Sequence, residues 1–230
     1  MHKQTVNVPA AEEFASKPRS RRDFFKTLAA AGAGVAGGSL LLSGKASAQS
    51  AGGDLEIANF ALTLEYLEAE FYGLALDAGV LTGDALAVVE NLYDHEAQHV
   101  DALIGLIEQA GGTPVAKPEF VFPDAALASQ AAVLDTAITL EPVGVGAYLG
   151  AAPMIQSPDV LAAAGSIAGV EGEHVVAVTN LIGGLPAAVE AFPAALTLAE
   201  VEAAVAPFIM GGMMPTGGEE YRDRTSFGRV

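Results

Sequence analysis

Glu96-Ala97-Gln98-His99 and its echo Glu171-Gly172-Glu173-His174 decide how this chain is read. Each is Glu-x-x-His. Residues three apart on an α-helix lie about one turn apart, so carboxylate and imidazole project to the same side and can grip one metal ion together. Helical spacing places Leu92, Tyr93, Val100 and Leu103 on the face of the first pair. It places Ala164, Ile167, Ala168, Val175 and Val178 on the face of the second. A carboxylate on an apolar stripe is costly to bury unless something positive meets it. Lys and Arg are almost absent nearby, so a divalent cation is the economical partner.

Each motif has an upstream companion. Glu65 stands 31 residues before Glu96 and is followed seven residues on by Tyr72; Glu141 stands 30 residues before Glu171 and is followed seven residues on by Tyr148. In a helical hairpin, residues equidistant from the turn lie level. The midpoint of the first pair falls inside Gly79-Val80-Leu81-Thr82-Gly83, and that of the second on Gln156, inside Pro153-Met154-Ile155-Gln156-Ser157-Pro158. Both are strong turn signals. Two such hairpins about a pseudo-twofold axis bring four Glu and two His to one level.

That set resembles the ferritin-like di-iron and di-manganese carboxylate proteins, in which two helices give one Glu each and two give Glu-x-x-His. The resemblance covers about residues 54–182. It implies an all-α, ferritin-like four-helix bundle with a long crossover between the second and third helices. The metal ligands it implies are Glu65, Glu96, His99, Glu141, Glu171 and His174, holding two Fe or Mn ions. Tyr72 matches the family's Tyr after the first-helix Glu, and Tyr148 repeats it. Within the superfamily the chain is similar to exported ferritin-like domain proteins related to desiccation-associated proteins.

Read in order, the chain opens on Ser20-Arg21-Arg22-Asp23-Phe24-Phe25-Lys26, which matches a twin-arginine export signal. An apolar run over 27–42 and the small residues Ala46-Ser47-Ala48 follow, and cleavage is expected after Ala48. The alternative is an uncleaved N-terminal anchor. The twin-arginine machinery carries folded proteins, which suits a metal loaded before export. The expected organisation is a signal over 1–48, a bundle over 49–214 and a polar tail over 215–230. No membrane span is expected once the signal is gone.

Removal of 1–48 takes seven of the 11 basic residues and three of the 28 acidic ones, leaving four against 25, a net charge of −21. Such a surface repels nucleic acid and anionic lipid and draws cations inward, or simply keeps an Ala-rich bundle dispersed. There is no Cys, which excludes disulfides, thiolate zinc sites and Cys-bound iron–sulfur clusters. It also excludes the Cys-liganded iron site that rubrerythrins carry.

The first helix is expected over about 54–78, with Ala58, Ala61, Leu62, Glu65, Ala69, Tyr72 and Leu76 on one stripe. Glu68, one turn beyond Glu65, competes for the inward face and reads as a group behind the ligands; Glu70 reads as solvent-facing. The second helix runs over about 84–110 and stops at Gly111-Gly112. The 14 residues from Gly111 to Asp124 hold Pro114, Pro118 and Pro123 and reach at most about 50 Å. A 26-residue helix is about 39 Å long, so this link can cross the whole bundle and leave the second and third helices parallel.

The third helix, about 125–151, meets Pro142 directly after Glu141. Either it stops at Leu140, or it continues with a kink at the metal level, Gly144 and Gly146 permitting close packing. The register of Tyr148 favours continuation, and the kink is expected to open access to the metals. The fourth helix, about 159–182, ends at Gly183-Gly184. A short fifth, about 198–210, caps or flanks the bundle. Met210, Met213 and Met214 suit packing better than soft-metal ligation. His2 belongs to the signal, and His95 reads as a surface residue or a neighbour of the ligands.

Carboxylate and imidazole ligands suit iron or manganese, and a redox pair of that kind fits O₂ or H₂O₂. Tyr72 and Tyr148 either bond a ligand carboxylate, act as one-electron donors, or fill the core. Three functions follow: an exported di-metal oxidase or peroxidase, a metal-binding protein without turnover, and a structural stress protein of the desiccation-associated kind. The Ala/Val lining offers no evident pocket for a large organic substrate. A homo-oligomer is compatible with the residues, which do not decide whether subunits form a cage.

Overall fold

The computed structural model describes residues 44–184 and 191–210. The helices are α1 (Gly44–Asp77), α2 (Gly83–Gln109), α3 (Gln130–Ala151), α4 (Pro158–Leu181) and α5 (Leu198–Val205). Short 3₁₀ turns occupy Asp124–Leu127, Ala152–Met154 and Ala206–Phe208. Among the described residues the one β-type pairing is an isolated antiparallel bridge between Phe120 and Ile209. The bundle is therefore all-α, with a short fifth helix, as expected. The twin-arginine motif, the apolar run that follows it and the 215–230 tail lie outside the described residues.

Both hairpins turn at the midpoints the sequence marked. Gly79, at φ +65°, carries the chain out of α1 in a conformation that favours glycine. Ser157 caps α4 by accepting the Val160 N–H at 3.4 Å, with Pro158 at the first helical position. The two Glu-x-x-His helices also end alike. At the end of α2, the Gly112 N–H reaches the Ile107 carbonyl at 2.9 Å and the Gly111 N–H the Glu108 carbonyl at 3.0 Å. At the end of α4, Gly184 and Gly183 repeat this to Thr179 and Asn180, at 2.9 and 3.1 Å. Both are the paired bonds of a Schellman cap.

The crossover makes α2 and α3 parallel. Gln130, which opens α3, accepts the Thr82 N–H at 3.0 Å beside the start of α2. At the opposite end, Asp54 near the base of α1 is buried and accepts the N–H groups of Gln156 and Ser157 at 2.9 and 2.7 Å. Along α1 the crossover is pinned where the Val115 N–H meets Asn59 Oδ1 at 2.6 Å and where Lys117 pairs with Glu70. It then joins the C-terminal segment through Val121 N–H to Phe208 and Met210 N–H to Glu119, at 2.9 and 3.0 Å.

That cover corrects the reading of α1. Besides the expected stripe, Ile57, Phe60, Leu64, Leu67, Phe71 and Ala75 are buried. Two apolar faces make α1 the innermost helix, with Phe122 of the crossover packed on Phe71 at 5.3 Å between ring centroids. The helix also begins ten residues before the expected 54. Residues 45–51, Lys-Ala-Ser-Ala-Gln-Ser-Ala, hold five good helix formers and no proline, and so continue the helix upstream. The expected cleavage point after Ala48 thus falls within its first turns.

α3 continues through Pro142, which is exposed, so the missing N–H costs one bond on the solvent side and the register to Tyr148 holds. Its glycines admit close neighbours. The Leu196 N–H bonds the Gly146 carbonyl at 2.9 Å. A Cβ on Gly150 would stand 1.8 Å from the Leu196 carbonyl oxygen. Gly150→Ala is expected to push the C-terminal segment off α3 at a cost of at least about 2 kcal/mol, read as a fall in unfolding midpoint of about 4–8 °C. An unchanged midpoint would show that Leu196 has room to retreat.

On length and composition, Gln130–Met154 and Pro158–Leu181 are apolar enough to cross a membrane. Here each carries a wholly buried glutamate, Glu141 and Glu171, on its inner face.

Candidate metal centre

The six ligand candidates converge. Glu65, Glu96, Glu141 and Glu171 are each 0% exposed, His174 2% and His99 8%. Their donor atoms form two groups, within each of which the atoms lie no more than 4.8 Å apart: Glu65, Glu96, His99 and Glu171, and Glu96, Glu141, Glu171 and His174. Glu96 and Glu171 belong to both.

The geometry shows why these two bridge. Glu96 sends Oε2 to within 2.9 Å of His99 Nδ1 and Oε1 to within 2.8 Å of His174 Nδ1. Glu171 places Oε1 3.3 Å from His99 Nδ1 and Oε2 3.9 Å from His174 Nδ1. The lone glutamates serve one side each. Glu65 Oε2 is 3.0 Å from His99 Nδ1, and Glu141 Oε2 is 3.2 Å from His174 Nδ1. Helix spacing sets Glu and His of each motif together, and the hairpin turns set each lone Glu at the same level.

The tyrosines cross between halves. Tyr72, on the helix of Glu65, donates its hydroxyl to Glu141; Tyr148, on the helix of Glu141, donates to Glu65. Each lone glutamate is thus held through its outer oxygen, leaving the inner one aimed at the cluster. Tyr72 and Tyr148 are buried, so they also fill the core.

The donor set suits cations. Glu96 Oε1, Glu141 Oε2, both Glu171 oxygens and His174 Nδ1 are buried without a hydrogen bond of ordinary geometry, despite the short separations. Buried acceptors normally find donors. Here their lone pairs converge on shared points, as ligands around an ion do. Four ionised glutamates would carry four negative charges, which bound cations would offset.

Without cations the charge must be met by protons. Burial, the largest influence, drives Glu65 up to about 7, partly opposed by His99. Burial and then the Glu96 charge raise Glu171 well above the carboxylate range, and burial raises Glu141. Burial pushes Glu96 the same way, but the adjoining imidazoles of His174 and His99 outweigh it and hold Glu96 at about 2. The imidazoles move in return. Burial works against their charge, yet the surrounding carboxylates lift His99 to about 12 and His174 to about 10.

Glu68 is a fifth buried glutamate, 3% exposed, with Oε2 unpartnered. Burial first, then the charges of Glu171 and Glu141, raise it well above the usual range. The position matching it in the second half is Gly144, where a Cβ would come 2.9 Å from Glu171 Oε2 and 3.5 Å from Glu68 Oε1. Gly144→Ala is therefore expected to displace a bridging carboxylate and weaken both metal positions while the helix content stays unchanged by circular dichroism. Metal binding equal to wild type would show that Glu171 adjusts.

A match to the ferritin-like domain family model over residues 53–184 agrees with this geometry. The chain belongs to the ferritin-like domain family. No curated protein matches the sequence.

One neighbour of this ferritin-like centre departs from the sequence reading, and the other, His95, takes the second of its two expected places, beside a ligand. Tyr93, expected on the ligand face, is 41% exposed. Its ring lies on α1, where a Cβ on Gly73 would be 3.3 Å from Tyr93 Cε2. His95 turns to the fourth helix, its Nδ1 3.0 Å from His174 Nε2. Burial, then His174 and His99, push His95 below its ordinary value, which keeps it neutral. Beside Tyr148 the ferritin-like domain has an apolar cavity of about 30 Å³, room for a molecule of water's size and not for a large organic one.

Proposed function

We propose that the chain is an exported di-metal carboxylate protein that holds two iron or two manganese ions and acts on Fe²⁺ with O₂, or on H₂O₂, in oxidative or desiccation stress. The observation that carries this reading is the sharing of Glu96 and Glu171 between two ligand groups. Glu65 with His99, and Glu141 with His174, would complete the two positions. When bound, such a pair supplies two redox centres to one small oxidant.

The protein's own residues set the conditions. Tyr72 and Tyr148 fix the lone glutamates from outside and stand one residue away from the metal positions, where they can pass single electrons. Glu68 adds a buried carboxyl beside the cluster. The twin-arginine motif supports export, with the twin-arginine machinery as a partner, and export in the folded state suits metal loading beforehand.

A second reading, metal held for storage or stability without turnover, draws support from the near-complete burial of all six ligands. The two separate in one set of assays on metal-loaded protein. Oxidation of added Fe²⁺, or consumption of H₂O₂, at many turnovers per chain supports the catalytic reading. Two bound ions with neither reaction contradict it and support the second.

A further inference from the structure

Besides Glu68 and Gly144, the two halves of the centre differ at His95. His174 turns Nδ1 toward Glu96, Glu141 and Glu171, and its other nitrogen, Nε2, meets His95 Nδ1 at 3.0 Å. The rings stack with centroids 5.2 Å apart and planes inclined by 19°. His95 Nε2 in turn lies 3.3 Å from the side-chain nitrogen of Asn91. Asn91, His95, Glu173 and His174 line one open cleft of about 470 Å³. The second-half position matching His95, one residue before Glu171, is Val170, whose side chain cannot hydrogen-bond. The connection from ligand to cleft therefore exists on one side only.

A cation on His174 Nδ1 dictates the protons along this row. It needs the lone pair there, so the ring proton sits on Nε2 and points at His95 Nδ1, which must accept. His95 then carries its proton on Nε2, facing Asn91. The amide of Asn91 meets it through oxygen when turned over, an exchange of two atoms alike in size. Ligating histidines are commonly held in this way through their second nitrogen, and the partner raises their basicity.

We propose that His95 is the positioning residue for His174. It selects the tautomer that leaves Nδ1 free for metal and makes the Glu141–His174 position tighter than the Glu65–His99 position. The inference rests on the di-metal reading.

Calorimetric titration of metal-free protein with Co²⁺, followed in parallel by visible absorption, tests it. Wild type is expected to take two ions in two resolvable steps. His95→Leu keeps bulk but offers no acceptor, and should weaken the tighter step by about 10–100-fold with the other step unchanged. His95→Asn, whose Oδ1 stands where Nδ1 stood, should restore most of the loss, which a purely packing role would not produce. In a Glu141→Gln background, which removes the His174-side position, His95→Leu should change nothing further. Two ions bound with His95→Leu indifferent, both steps weakened alike, or no recovery in His95→Asn would each overturn the inference alone. No Co²⁺ binding by wild type would overturn the di-metal reading with it.

Discussion

Glu96→Gln is expected to empty both proposed metal positions, whereas Glu65→Gln and Glu141→Gln are each expected to empty one. The difference follows from where the oxygens point. Glu96 offers one oxygen to each imidazole, at 2.9 and 2.8 Å, while Glu65 and Glu141 each face a single imidazole. Gln fills the same volume but replaces a charged oxygen with an amide group and removes one charge from the set. Loss of an outer partner costs about 10–100-fold in metal affinity, so loss of a bridging ligand should exceed about 100-fold at both positions. Stoichiometry by metal analysis, with helix content as the control, reads the result. One ion retained by Glu96→Gln would mean that the carboxylate serves one position only.

Stripping the metal should produce the largest change in stability, and its pH dependence should reverse sign. At free metal near 1,000 times Kd, one site contributes about 4 kcal/mol and two about 8. For a chain of this size that corresponds to a fall in unfolding midpoint of roughly 16–32 °C. In the metal-free protein Glu65 is raised to about 7. Its contribution is whole below its ordinary 4.5 and is lost as pH climbs through about 7. His99 and His174, raised to about 12 and 10, contribute fully below 6.5 and lose it across the range up to those values. Glu96, held at about 2, acts only at the acid end, where its contribution disappears as pH falls below 4.5. The metal-free midpoint should therefore drop from pH 5 to pH 8. The gap between loaded and metal-free protein should widen, because cations no longer compete with protons. Loading near neutral pH should release at least the protons of His99 and His174, measurable in weakly buffered solution. A gap that narrows with pH would contradict the cluster's electrostatics.

The parts legible in the sequence were those set by local periodicity. Glu-x-x-His survives in one dimension because a helix turns a spacing of three into a shared face, and hairpin symmetry extends this to Glu65 and Glu141. Gly111-Gly112 and Gly183-Gly184 announced both helix ends for equally local reasons. What escaped depends on packing between helices. The crossing of Tyr72 to Glu141 and Tyr148 to Glu65 needs the two halves docked. For His95 the choice between surface residue and neighbour of the ligands stayed open, because it points about 100° from Glu96 on its own helix and the approach of the fourth helix sets it beside His174. The second buried face of the first helix exists because a largely extended crossover covers it. Tyr93 sits beside Leu92 in sequence, yet Gly73 on the first helix draws it outward.

The most direct test is elemental analysis of purified protein, after loading with Fe²⁺ or Mn²⁺ and removal of free metal, set beside Glu96→Gln treated in the same way. Two ions per wild-type chain and none in the variant is the expected result. A wild-type chain that retains no iron or manganese would contradict the claim that these buried carboxylates and imidazoles are assembled around a pair of cations.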